Sequence, residues 1–94
     1  MADVYILYSK ELDKYYVGSC INMVERLSEH LNKKYIDSYT TKADDWILYF
    51  SIENLKYEQA RLIESHIKKM KSKRYIENLK RYKELSKKLV ELYK

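Results

Sequence analysis

The sequence predicts an α+β fold in which a three-stranded antiparallel sheet is flanked by helices, in the order β-β-α-β-α-α. Three observations predict it. Two short β-rich runs, residues 3–8 and 15–18, flank a polar segment from Ser9 to Lys14, which is a hairpin pattern. A third run of strand length, residues 46–52, is aromatic and aliphatic but for Ser51. Apolar residues at helical spacing precede and follow that third run.

The hairpin is the element around which the rest is arranged. Pairing Tyr5 opposite Tyr16 would set both rings on one face and leave Val4, Ile6 and Val17 on the other, so that one face is core and the other a tyrosine-bearing wall. Gly18 is the single glycine of the chain, and there is no proline. It marks a place where the backbone turns freely or lets a ligand come close.

Asn22 can cap the next helix, with Glu25 three residues on. Val24, Leu27 and Leu31 fall on one face of it, so it is expected to run to about Asn32. Arg26 and His30 are spaced i, i+4 beside that stripe. By residue type they suit a solvent-facing edge as well as a phosphate site, since a guanidinium grips phosphate in two-pronged fashion and an imidazole moves protons near neutral pH. Residues 33–45 read as a polar loop carrying Tyr35 and Tyr39. Trp46 reads as a packing residue at the start of the third strand.

Asn54 is a plausible cap for a helix whose inward stripe is Ala60, Ile63, Ile67 and Met70. Glu64 lies beside that stripe, where a glutamate pairs readily with Lys68 at i+4. Glu58 falls in the first turn and suits the helix dipole. Ser72 can begin a last, basic helix over about residues 73–94, with Ile76, Leu79, Tyr82, Leu89 and Leu92 inward and Lys73, Arg74, Lys80, Arg81, Lys87 and Lys88 outward.

Composition sets the class. A chain of 94 residues with 46% hydrophobic and 35% charged residues is expected to form one soluble domain over residues 1–94. No apolar run approaches the ~20 residues of a membrane span and no signal-peptide layout opens the chain, so no membrane partner and a cytoplasmic location are expected. The single cysteine, Cys20, excludes an internal disulfide and a cysteine-based zinc site, and reads as a small apolar residue. The net charge of +5 is unevenly spread: residues 1–60 hold 7 basic against 10 acidic side chains, residues 61–94 hold 12 against 4. A basic carboxy-terminal third favours a polyanionic partner, although a solvated lysine-rich helix has the same composition.

Asp3-Val4-Tyr5 and Tyr16-Val17-Gly18, followed in order by Arg26 and His30, Tyr39-Thr40, Trp46, and Glu64 in an Ala-x-x-x-Glu context, resemble the GIY-YIG endonuclease superfamily, in a small standalone form similar to the amino-terminal nuclease domain of bacterial excision-repair endonucleases. Two positions depart from the pattern: Asp3 stands where relatives have the first glycine, and Asp45 where proline is frequent. The resemblance implies a metal-dependent endonuclease that hydrolyses DNA phosphodiester bonds, structure-selective or partner-directed, in repair or recombination, leaving a 5′-phosphate and a 3′-hydroxyl. It implies Mg²⁺, with Mn²⁺ as an alternative, anchored by Glu64; Arg26 on the scissile phosphate; Tyr5 and Tyr16 positioning or deprotonating the attacking water; and His30 in support. Gly18, Tyr39, Lys68, Lys80 and Arg81 are the candidate contacts to duplex or branched DNA, with a protein partner as a further source of specificity. The alternative is a nucleic-acid-binding module of the same fold without cleavage. A third reading has the basic last helix docking on an acidic protein.

Overall fold

The computed structural model describes residues 1–21 and 44–94 of the chain. Strands β1 (Ala2–Ser9) and β2 (Lys14–Cys20) pair antiparallel about a turn at residues 10–13. That turn holds no glycine. Asp13 takes the left-handed conformation, φ 51, which aspartate tolerates because its short carboxylate bonds locally; here it accepts the Tyr8 hydroxyl at 2.8 Å. The buried Ser9 hydroxyl closes the base of the turn, accepting from the Leu12 N–H at 3.1 Å and donating to Asp45 Oδ1 at 2.6 Å. The Glu11 N–H donates to Asp45 Oδ2 at 2.8 Å. Asp45, one of the two departures from the family pattern, thus clamps the hairpin turn.

The register differs from the expected one. Tyr5 pairs with Gly18, and Tyr16 with Leu7. A shift of two residues preserves the pleat, so Tyr5 and Tyr16 still share a face while Val4, Ile6 and Val17 occupy the other. Strand β3 (Ile47–Leu55) pairs with the free side of β1, giving the order β2-β1-β3. The central strand is therefore buried on both faces, and the expected division into a core face and a tyrosine wall does not hold: Tyr5 and Leu7 pack with Cys20 and Trp46 on one side, while Val4 and Ile6 join the helical core on the other. Asn54 is not a helix cap. It sits at a bulge in β3 with φ 61, and its N–H donates to Asp3 Oδ1 at 3.1 Å. The carboxylate of Asp3, the second departure, satisfies a donor that the bulge takes out of the ladder.

Helix α1 (Tyr57–Met70) starts after Lys56, whose N–H donates to Gln59 Oε1 at 3.1 Å. It lays Ala60, Ile63 and Ile67 on β1 and β2, with Glu58 in its first turn; Met70 is exposed and not part of the stripe. Helix α2 (Lys73–Arg81) is capped as expected by Ser72, whose hydroxyl accepts from the Tyr75 N–H at 3.1 Å. The expected single last helix is broken, and α3 (Lys83–Leu92) follows after Tyr82. The Tyr82 N–H closes α2 on the Asn78 carbonyl at 2.8 Å, and its own carbonyl accepts from Leu85 at 3.1 Å to open α3. The cause is tertiary. Unbroken, the helix would carry Leu89 about 15 Å beyond Leu79, yet Leu79 and Leu89 lie in one core. The bend returns α3 to α1, where Gln59 Nε2 donates to the Val90 carbonyl at 2.9 Å and His66 Nδ1 meets the Tyr93 hydroxyl at 2.8 Å. Tyr82 and Leu92, expected inward, are left exposed.

The sheet and helices form the expected α+β arrangement, with three helices after β3 where two were expected. The helix expected near residues 22–32 and most of the loop before Asp44 lie outside the described residues. Among the described residues, no helix is long and apolar enough to cross a membrane.

Candidate active site

Three elements bring candidate residues together at the β2 edge of the sheet. β1 contributes Tyr5, β2 contributes Tyr16 and Ser19, and α1 contributes Glu64 and Lys68. Tyr16 and Ser19 are three apart on a strand and so face opposite sides of it. Ser19 pairs with Val4 and looks toward α1, and the Tyr16 ring lies 6.4 Å from that of Tyr5 on the other face.

Glu64 follows Ile63 and stands at the flank of the buried stripe, half-buried over β2. The Ser19 hydroxyl donates to its Oε1, and Lys68 Nζ reaches its Oε2 at 2.7 Å. The same ammonium lies 6.0 Å from the centre of the Tyr16 ring. Tyr5, Tyr16, Lys68, Glu64 and Ser19 therefore form a continuous chain that wraps the edge strand from one face to the other. The ion pair within it is 51% and 21% exposed on its two side chains, and pairs so exposed contribute no more than about 1 kcal/mol. A stronger ligand can take Glu64 from Lys68 at small cost.

Gly18 is buried directly beneath Tyr5. A Cβ there would lie 2.5 Å from the Tyr5 hydroxyl oxygen and 2.6 Å from Cζ, and its φ is not positive. The glycine is present for space, and what approaches it closely is the tyrosine ring, where a ligand was expected. Tyr5 is only 2% exposed.

Lys80 and Arg81 lie elsewhere. Lys80 Nζ sits 4.4 Å over the Tyr49 ring, and both residues line a cleft with Arg74, Glu77 and Asn78 that shares no residue with the cleft at Glu64. Near that second cleft Tyr8, Tyr15 and Tyr49 pack ring to ring, Tyr15 to Tyr49 edge-on at 5.0 Å. Burial, with the hydrogen bond to Tyr49, pushes the Tyr15 phenol well above its ordinary value, so it stays a neutral ring. Arg26, His30 and Tyr39 lie outside the described residues. Trp46 is buried beside Tyr5, as its packing role requires. Ser19 is the member of the group that sequence reasoning missed. Its signal was a hydroxyl at a strand position facing the helices, where a polar group needs a partner.

Among the described residues, no three or more His, Cys, Asp or Glu side chains gather in a way that could hold a metal ion. The acidic ligand offered at this edge is the single carboxylate of Glu64, in a cleft it shares with Arg61, Ser65 and Lys69.

The model of the GIY-YIG catalytic domain family matches residues 1–83. No curated protein and no solved structure matches the chain. The family match takes in the whole sheet, α1 and α2, with the tyrosines of the hairpin and the glutamate of α1 inside it, and ends at Lys83, the first residue of α3. The chain belongs to the GIY-YIG superfamily and carries its nuclease-type fold.

Proposed function

We propose that this chain is a metal-dependent endonuclease that hydrolyses DNA phosphodiester bonds, with Glu64 as its metal-anchoring carboxylate. The observation that carries the reading is the linkage of Tyr5, Tyr16, Lys68 and Glu64 around one sheet edge inside the family match. One carboxylate suits Mg²⁺, which keeps most of its waters and takes few protein ligands, and Mn²⁺ would be held the same way. The bound ion supplies Lewis-acid stabilisation of the phosphate and lowers the pKa of water. Ser19 holds Glu64 in orientation. Lys68, released from Glu64, offers a cation to the phosphate. Tyr16 and Tyr5 position the attacking water. A phenol is a weak base at its ordinary pKa of about 10, so proton removal needs the nearby positive charge. Arg26 is assigned the scissile phosphate and its developing charge, with His30 and Tyr39 in support, on the family resemblance alone. Structure-selective or partner-directed cutting in repair or recombination is assigned, like the role of Arg26, on the family resemblance.

A second reading, nucleic-acid binding without cleavage, is favoured by the engagement of both Glu64 oxygens by Lys68 and Ser19. The test is nicking of supercoiled and branched DNA with Mg²⁺, Mn²⁺ or chelator, by wild type and Glu64→Gln. Metal-dependent cutting that falls at least ~10²-fold in the variant supports the nuclease. Full activity of Glu64→Gln would falsify the metal role.

A further inference from the structure

A groove runs along the β2 edge from the Glu64 site toward the hairpin turn, between β2 and the junction of α1 with α2. Its floor is apolar and aromatic: Val17, Ile67 and Ile76 with the flanks of Tyr15 and Tyr16. Its rim is cationic, with Lys14 on the strand side and Lys68, Lys71 and Lys73 on the helix side, and among the described residues no acidic side chain lines it. Lys68 belongs both to this groove and to the Glu64 cleft, so the two are continuous.

The four lysines are not equivalent. Lys68 is paired with Glu64, and Lys73 bonds the Asp13 carboxylate at 3.0 Å and its carbonyl at 2.6 Å. Lys14 and Lys71 make no ion pair among the described residues, and both are exposed. Lys71 also ends α1 in the left-handed conformation, φ 47 and ψ 40. Glycine is the residue most often found at such a position, since a Cβ is disfavoured there. Stability alone would favour glycine, and the chain has instead a cation at the rim of the groove.

We infer that this groove binds an unpaired DNA strand and leads it to Glu64. Charge complementarity selects a polyanion. The floor selects the unpaired form: a duplex turns its bases inward and offers a groove only phosphates and sugars, so the half-buried rings of Tyr15 and Tyr16 would meet nothing apolar. A single strand presents base faces to aromatic side chains and phosphates to the lysines at once. From Glu64 to Lys71 the helix advances about 10 Å, the length of about three stacked nucleotides at 3.4 Å each. The strand-binding half stands independently; the leading of that strand to Glu64 rests on the nuclease reading, and it makes flapped or branched DNA the substrate class.

The test separates the two. Fluorescence anisotropy in chelator, where nothing is cut, compares a labelled oligothymidylate of about 12 nucleotides, within the site sizes such grooves cover, with a duplex of equal length. Wild type is expected to prefer the single strand. Lys14→Gln with Lys71→Gly should weaken it on the order of tenfold and flatten its salt slope by about 1.4, two phosphates at about 0.7 each. Lys71→Gly alone should weaken binding while raising Tm by about 4 °C, so that weaker binding cannot come from unfolding. Photo-cross-linking of an iodouracil-substituted strand should label Tyr15 or Tyr16. Unchanged single-strand affinity in the double variant, equal preference for duplex, or cross-links confined to the Lys87 and Lys88 face overturns the groove. A protein that binds the strand here but never cuts with Mg²⁺ keeps the groove and loses the nuclease reading, and cutting through Glu64 with an unaffected groove variant does the reverse.

Discussion

Gly18→Ala is the perturbation whose outcome follows most directly from geometry. The added methyl would stand 2.5, 2.6 and 3.1 Å from Oη, Cζ and Cε1 of Tyr5, where carbon contacts prefer about 3.5–4.0 Å. The ring cannot swing aside freely, because it is 2% exposed and packed with Leu7, Cys20 and Trp46. Overpacking of this kind costs about 1–3 kcal/mol, which for a domain of this size lowers Tm by about 5–20 °C. Backbone strain makes no contribution, since φ at Gly18 is not positive. The assay is thermal unfolding followed by circular dichroism, for Gly18→Ala in the wild-type background and in Tyr5→Leu. In the second background the clash is gone and the sign should reverse: alanine restricts the unfolded chain and stabilises by about 0.4–1 kcal/mol. A Gly18→Ala protein as stable as wild type, or the same loss in both backgrounds, would refute the assignment of this glycine to the Tyr5 ring.

Three further outcomes are expected. Hydrogen bonds from the Ser9 hydroxyl and then the Glu11 N–H hold the Asp45 carboxyl below the ordinary carboxylate value; a folded pKa so depressed contributes stability above about pH 4, lost as pH falls through the folded value. Asp45→Asn should therefore flatten the fall of Tm with acid, and an unchanged acid limb counts against the clamp. Ser19→Ala should leave the fold intact but weaken Mn²⁺ binding about 10–100-fold, as removal of a ligand's supporting hydrogen bond does; paramagnetic broadening of amide signals near Glu64 reads it, and wild-type affinity removes Ser19 from the site. Neutralising Lys80, Arg81, Lys87 and Lys88, all exposed, should weaken duplex binding equally on unrelated sequences and reduce the salt slope by about 0.9 for each phosphate no longer neutralised; an unchanged slope makes that face merely solvated.

The hairpin was legible because alternation and β-rich composition are local signals. Its register was not, because the turn holds no glycine pair to set it. It is closed instead by Ser9 and by Asp45, 36 residues away in sequence. Asn54 shows the same limit: asparagine suits a helix cap and a left-handed bulge equally, and the Asp3 carboxylate across the sheet decides between them. The break at Tyr82 left no local mark at all, because the demand that Leu79 and Leu89 share a core is imposed by packing and not by propensity. The pairing of Glu64 with Lys68 was readable from helical spacing, and the shared face of Tyr5 and Tyr16 from the strand pattern, while their candidacy as site residues came from the family resemblance. Ser19 was not readable, because a single hydroxyl on a strand becomes informative only when α1 is known to lie over it.

The magnitudes also separate residues that hold the fold from those placed at the site. Ile63 and Ile67 are almost fully buried, and truncating such a side chain costs about 2–5 kcal/mol. The Glu64–Lys68 pair, whose lysine is half in solvent, is worth no more than about 1 kcal/mol. Stability therefore accounts for the stripe and leaves the flank unexplained. A serine turned toward the helix, a glutamate turned to meet it and a lysine shared with a tyrosine ring on the opposite face add little to folding, while together they place one carboxylate and one cation side by side at the β2 edge of the sheet. That is why replacing Glu64 by its near-isostere glutamine tests chemistry without testing the fold: the core that sets stability lies on the neighbouring face of α1, and the substitution does not reach it.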